Sequence, residues 1–121
     1  MSSISPSSLD LSVVIVNYKS VDFLRSCLRS IKETAEGISY EIIVVDNDSQ
    51  DGSDKEIRFG FPDIKLIANR NNLGFSSANN QGIKISKEGY ILLLNKDATV
   101  TPGALKCLID SMERHPGVGL M

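Results

Sequence analysis

The chain has 121 residues, enough for one domain with a buried core and short for two. Hydrophobic residues make up 41% and charged residues 23%, which excludes collagen-like, disordered and coiled-coil classes. With 13 basic against 15 acidic residues, no Trp and 6% aromatics, neither a phosphate-neutralising face nor a base-stacking platform is expected, so nucleic acid is not an expected partner.

Residues 1–10 are polar and carry no basic-then-apolar signal pattern. They are expected to form a flexible tail ahead of one domain spanning 11–121. No apolar run approaches the roughly 20 residues that cross a bilayer, so a cytoplasmic chain is expected. Residues 11–16 (Leu-Ser-Val-Val-Ile-Val) form a β-branched apolar run, the pattern of a strand covered on both faces. A helix follows Asn17-Tyr18-Lys19-Ser20, with Ser20 as its N-cap and Phe23, Leu24, Cys27, Leu28 and Ile31 along one stripe.

The second strand covers 40–45 and ends in Asp46-Asn47-Asp48-Ser49. Gln50-Asp51-Gly52 is a turn, after which a short helix starts at Ser53 or Asp54. A third strand at 64–68 leads into the loop Asn69-Arg70-Asn71-Asn72-Leu73-Gly74. Phe75, Ala78, Ile83 and Ile85 mark the inner face of the next helix, which has Gly82 inside it. The fourth strand, 90–94, runs into Asn95-Lys96-Asp97. Thr101-Pro102 begins the last helix, with Leu105, Leu108, Ile109 and Met112 facing inward. Residues 118–121 look like the start of a fifth strand. Cys27 and Cys107 are expected to be buried small hydrophobes, and His115 a helix-end residue and not a base.

Strands alternating with helices indicate a parallel sheet with helices on both faces, and such sheets bind ligands beyond the carboxyl ends of their strands. Asn17-Tyr18, Asp46-Asn47-Asp48 and Asn95-Lys96-Asp97 all fall at those ends. The turn after the first strand has neither a G-x-G-x-x-G nor a G-x-x-x-x-G-K-[ST] pattern, so dinucleotide enzymes and P-loop ATPases fit poorly. No Gly-flanked Ser suggests a hydrolase triad. The residues leave two readings for each acid. Asp97 either binds Mg²⁺ or Mn²⁺ together with substrate phosphates or caps the following turn. Asp46 and Asn47 either read the N–H and carbonyl edge of a pyrimidine or close an Asx-turn. For Asp48 and Asp51 the turn is the expected role.

The series Ser12-Val13-Val14-Ile15-Val16-Asn17-Tyr18, then 41–53 (Glu-Ile-Ile-Val-Val-Asp-Asn-Asp-Ser-Gln-Asp-Gly-Ser), then Asn69 to Phe75, then 92–97 resembles the family 2 glycosyltransferases, and within them the rhamnosyltransferase-like branch. The resemblance implies a three-layer α/β/α, Rossmann-like GT-A fold with a mainly parallel sheet, of which this chain is the donor-binding half. It implies an inverting, metal-dependent transfer from dTDP-rhamnose or a UDP-sugar to a polysaccharide or lipid-linked acceptor, as in cell-wall polysaccharide synthesis. By the same resemblance Val16, Asn17 and Tyr18 line the nucleoside pocket, and Asp46 and Asn47 contact the base. Asn95 and Lys96 belong to the donor site, and Asp97 is the remaining carboxylate of the family's metal motif. The acceptor half and its catalytic base are expected beyond residue 121. The uncovered sheet face is then open to self-association, and a lipid-linked acceptor suggests peripheral attachment at the inner membrane face. Two rivals stand beside this reading: a receiver-like signalling domain and an inert nucleotide-binding module.

Overall fold

A computed structural model describes residues 11–34, 37–87, 90–95 and 99–114. Four strands, β1 (Leu11–Asn17), β2 (Tyr40–Asp46), β3 (Lys65–Ala68) and β4 (Tyr90–Leu93), alternate with four helices. The helices are α1 (Val21–Thr34), α2 (Ser53–Gly60), α3 (Phe75–Ile85) and α4 (Ala104–Arg114). The strand order is β3-β2-β1-β4, and every pair is parallel. Leu11 lies opposite both Tyr40 and Tyr90, while Asn17 pairs with Asp46 and Asp46 with Ala68, so the carboxyl ends of β1, β2 and β3 are level.

Both faces of the strands are apolar because both are covered. Val13 and Ile15 of β1 join Ile42, Val44 and Leu92 against α1, α2 and α4, whose inward residues include Leu24, Leu28, Ile57, Leu105 and Ile109. Val14, Ile43 and Val45 face the other way, against Ala78 of α3. The molecule is therefore a three-layer α/β/α sandwich, as expected. A receiver-like sheet places its first strand between the second and third. Here β1 lies between β2 and β4, which removes that rival.

Several inward faces differ from the sequence pattern. On α1 the buried stripe is Leu24, Cys27, Leu28 and Ile31, while Phe23 is 61% exposed. Phe23 stands about 100° round the helix from Leu24, off the stripe. The Ser20 carbonyl accepts the first helical bond, from Leu24 N, but its hydroxyl donates to the Tyr18 carbonyl instead of capping. On α3 the buried residues are Ala78, Asn79 and Gly82, whereas Phe75, Ile83 and Ile85 are exposed. A Cβ on Gly82 would stand 2.5 Å from Val14 Cγ1, so the helix backbone lies directly on β1. Pro102 sits in the turn before α4, not in its first helical position. Cys27 is buried as expected, but Cys107 is exposed. The tail 1–10, Lys96, Asp97, His115 and residues 118–121 lie outside the described residues, as does the side chain of Met112. No helix among the described residues is long and apolar enough to cross a membrane.

Candidate functional site

The chain lays β2 and β3 on one side of β1 and β4 on the other, so the winding reverses between β1 and β4. Beyond the carboxyl ends at such a reversal, adjacent loops leave in opposite directions and leave a crevice. A hollow of about 210 Å³ is found there, lined by Val16, Tyr18, Asn47, Asn72, Phe75 and Asn95. Its floor is held by pairing that continues past the strands. Asn47 N donates to Asn17 O at 2.9 Å, Asn69 N to Asp46 O at 2.9 Å, and Leu94 N to Val14 O at 3.0 Å. The segment after β4 is tethered to α1 on both sides of residues 96–98: the Cys27 thiol reaches the Asn95 carbonyl at 3.8 Å, and Val100 N donates to Ser30 Oγ at 3.0 Å.

Four of the residues singled out from sequence meet in this hollow: Val16, Tyr18, Asn47 and Asn95. Asn17 and Asp46 are not among its lining residues; both are buried, and they bond to each other. Asn17 Nδ2 donates to Asp46 Oδ1 at 2.9 Å and to Ser49 Oγ at 3.3 Å. The Ser49 hydroxyl donates to Asp46 Oδ1 at 2.5 Å and accepts from Lys19 N at 2.8 Å. This cluster ties the loop after β1 to the loop after β2. Lys19, Asp48 and Gln50, all on these loops, adopt positive φ without being glycine. Such strain persists only where surrounding bonds impose it. Asn17 Oδ1 is buried with no hydrogen-bond partner among the described residues. Asp51 takes the expected turn role, accepting from Ser53 N at 3.0 Å, and Asp48 accepts from Gln50 Nε2.

Asn72 and Phe75 carry no donor-site role in the sequence reading, which puts Phe75 on the inner face of its helix, although the Asn69-to-Phe75 motif contained both. Asn47 bonds to the loop that carries Asn72 and leads into Phe75. Asn47 Oδ1 accepts from Asn69 Nδ2 at 3.0 Å and Leu73 N at 3.3 Å, and Asn47 Nδ2 donates to Gly74 O at 3.1 Å. Asn69 pairs in turn with Gln81 of α3 through two bonds of 2.8 and 2.9 Å.

The hollow presents amides, a phenol and a phenyl ring, and none of its described lining residues is a carboxylate. Among the described residues no group of three His, Cys, Asp or Glu side chains could hold a metal ion. Magnesium and manganese are held through one or two carboxylates, and the described lining of the hollow supplies none. Lys19 Nζ stands 5.2 Å from the centroid of the Tyr18 ring, which lines the hollow. A larger hollow, about 460 Å³, lies at the opposite end of the sheet among Lys32, Tyr40, Glu41, Asp63 and neighbours. It is at the amino ends of the strands, where open parallel sheets do not place their ligands.

Residues 12–120 match the family model for glycosyl transferase family 2. The chain belongs to that family. Relatives of this family 2 domain include the minor teichoic acid biosynthesis protein GgaB of Bacillus subtilis, 30% identical over 88% of this chain and 12% of GgaB. Another is the N-acetylglucosaminyl-diphospho-decaprenol L-rhamnosyltransferase of Mycobacterium tuberculosis, 26% identical over 92% of this chain and 39% of that protein. The crystal structure of S. aureus TarS 1-349 in complex with UDP superposes with a TM-score of 0.76 at 21% identity, covering 89% of this chain and 33% of that one. The fold is thus GT-A, and the chain spans between about an eighth and two-fifths of the length of these relatives.

Proposed function

We propose that this domain binds the nucleoside end of a nucleotide-diphosphate sugar in the β1–β4 hollow and serves as the donor-binding part of an inverting glycosyltransferase. The observation that carries this is the meeting of Val16, Tyr18, Asn47 and Asn95, from three separate segments, in one hollow at the switch point. About 210 Å³ is below the roughly 300–1,000 Å³ of pockets that enclose a whole ligand, which suits one end of a donor. Tyr18 and Phe75 offer aromatic faces to a flat base. The Asn72 and Asn95 amides offer both donors and acceptors, the chemistry of a pyrimidine edge. Solved relatives in complex with UDP and with UDP-GlcNAc, and a curated rhamnosyltransferase, favour a UDP-sugar or dTDP-rhamnose.

Asn17 and Asp46 act, in this reading, by holding the floor and not by touching the base. Asp97, two residues after Asn95 in sequence, is proposed as the protein ligand of Mg²⁺ or Mn²⁺, and Lys96 as a phosphate neighbour. When bound, the metal would offset charge on the departing diphosphate. Transfer with inversion also needs a base that takes the acceptor's proton. No described residue lining the hollow is an imidazole or carboxylate, so that base is assigned elsewhere in the enzyme. A lipid-linked or polysaccharide acceptor would bring the domain to the inner face of a membrane.

Calorimetry with UDP and with dTDP, with and without Mn²⁺, tests the reading. The chain is expected to bind one of them, with affinity falling on the order of tenfold in Tyr18→Ala and Asn95→Ala. Asp97→Ala should abolish only the metal-dependent part. Equal affinity in all four proteins, or no binding by the unaltered chain, would contradict it.

A further inference from the structure

On the premise that the hollow takes a nucleotide, we propose that Asn47 is the positioning residue that builds one of its walls. Its carboxamide sits at the end of β2 and is 2% exposed. Oδ1 accepts twice, from Asn69 Nδ2 and Leu73 N, which occupies both lone pairs. On this inference it has no acceptor left for a base N–H, and its part in the site is to position and not to read the pyrimidine edge. What Asn47 holds instead is the loop between β3 and α3. Two of its three partners are backbone groups of fixed character: Leu73 N–H can only donate, and Gly74 C=O can only accept. Rotating the amide by 180° would set donor against donor and acceptor against acceptor, so its orientation is determined.

The loop held this way supplies Asn72, and the helix that follows it begins with Phe75. Gly74 joins them at φ 84, and its N–H donates to Asn72 Oδ1 at 2.8 Å. The chain Asn47–Asn69–Gln81 clamps the far side of the same loop to α3. Releasing Asn47 frees Asn72 and Phe75 together, and the hollow loses that part of its lining. The position demands an amide and not merely a polar group. A carboxylate of the same shape keeps the bonds from Asn69 and Leu73. It also turns an oxygen toward the Gly74 carbonyl at the 3.1 Å where a donor now stands.

Asn47→Asp therefore tests the inference with an internal control, since the new carboxyl regains a donor when protonated. Two quantities are read in variant and unaltered chain: the protection factor of the Leu73 amide by hydrogen exchange, without ligand, and the affinity for UDP or dTDP. At about pH 7 both are expected to fall on the order of tenfold in the variant. As pH drops toward about 4, variant and unaltered chain should converge as the carboxyl protonates. Equal Leu73 protection at pH 7, unchanged nucleotide affinity, or a deficit that persists equally in acid would overturn the role. If Asn47→Asp does not fold, Gln81→Ala, outside the hollow, is expected to lower Leu73 protection and affinity in the same direction, and no change in either would overturn it. Leu73 protection is read without nucleotide. Failure of the unaltered chain to bind UDP or dTDP thus defeats the proposed function, while unchanged protection defeats the tie.

Discussion

Ser49 is a small residue with an outsized share of the rim. Its hydroxyl accepts from Lys19 N at 2.8 Å and Asn17 Nδ2 at 3.3 Å while donating to Asp46, and it is 1% exposed. Ser49→Ala takes the acceptor from the Lys19 N–H and one of the two donors from Asp46 Oδ1, which keeps only Asn17 Nδ2. Unmade buried hydrogen bonds cost about 1–3 kcal/mol, and Ser49→Ala is expected to lose that much stability. Ser53→Ala, which removes a hydroxyl that donates to its near neighbour Asp51, should lose less than about 1 kcal/mol. Urea midpoints of the two variants check this, and equal losses would contradict it. The same cluster shows where reading the sequence stops. Asp46 stands out as an acid after a buried strand whether it meets a ligand or an adjoining loop. Its partner Asn17 lies 29 positions away, and no periodicity encodes that pairing. Asn47 was legible as important, but not as the anchor of a loop whose bonds are made by backbone groups.

Elements were more legible than contacts, and strands more than helices. β1 and β2 are continuous apolar runs because both sheet faces are covered, and both stand where the sequence places them, each one residue longer. α3 was located but turned wrongly. Counting apolar residues selects Ile83 and Ile85, whereas the helix packs through Ala78, Asn79 and Gly82. Close approach to β1 requires small residues, and the hydrophobic period does not register them. Gly82→Ala decides between these descriptions. In an exposed helix the change gains up to about 1 kcal/mol. Here the added carbon would stand 2.5 Å from Val14 Cγ1 and 3.3 Å from Cγ2, so either the fully buried Val14 side chain or the helix must shift. A net loss of about 1–2 kcal/mol is expected, since overpacking a close-packed core costs more than the propensity gain. Adding Val14→Ala should recover part of it, visible as a coupling energy in a double-mutant cycle. A stabilised Gly82→Ala chain would contradict the packing.

Across the molecule the two ends of the sheet do different work. At the amino ends Glu41 accepts from Ser12 Oγ at 2.7 Å and Lys87 N at 2.8 Å and pairs with Lys65 Nζ at 2.9 Å, joining β1, β2, β3 and the chain after α3. Burial pushes its carboxyl up, but the bonds from Lys87, Lys65 and Ser12 together outweigh that and hold it below the ordinary 4.5. The folded chain thus releases this proton more readily than the unfolded one. Its contribution to stability is complete above pH 4.5 and is lost as pH falls through the lowered folded value. Denaturant midpoints across the acid range should fall less steeply in Glu41→Gln, and an unchanged slope would contradict this. At the carboxyl ends stands the hollow proposed for the nucleotide. The most direct test is a backbone NMR titration of the chain with UDP and with dTDP. Shifts are expected to gather at Val16, Tyr18, Asn47, Asn72, Phe75 and Asn95 and to leave Lys32, Tyr40, Glu41 and Asp63 unmoved. Shifts gathered at the amino ends, or none with either nucleotide, would contradict the assignment of the site.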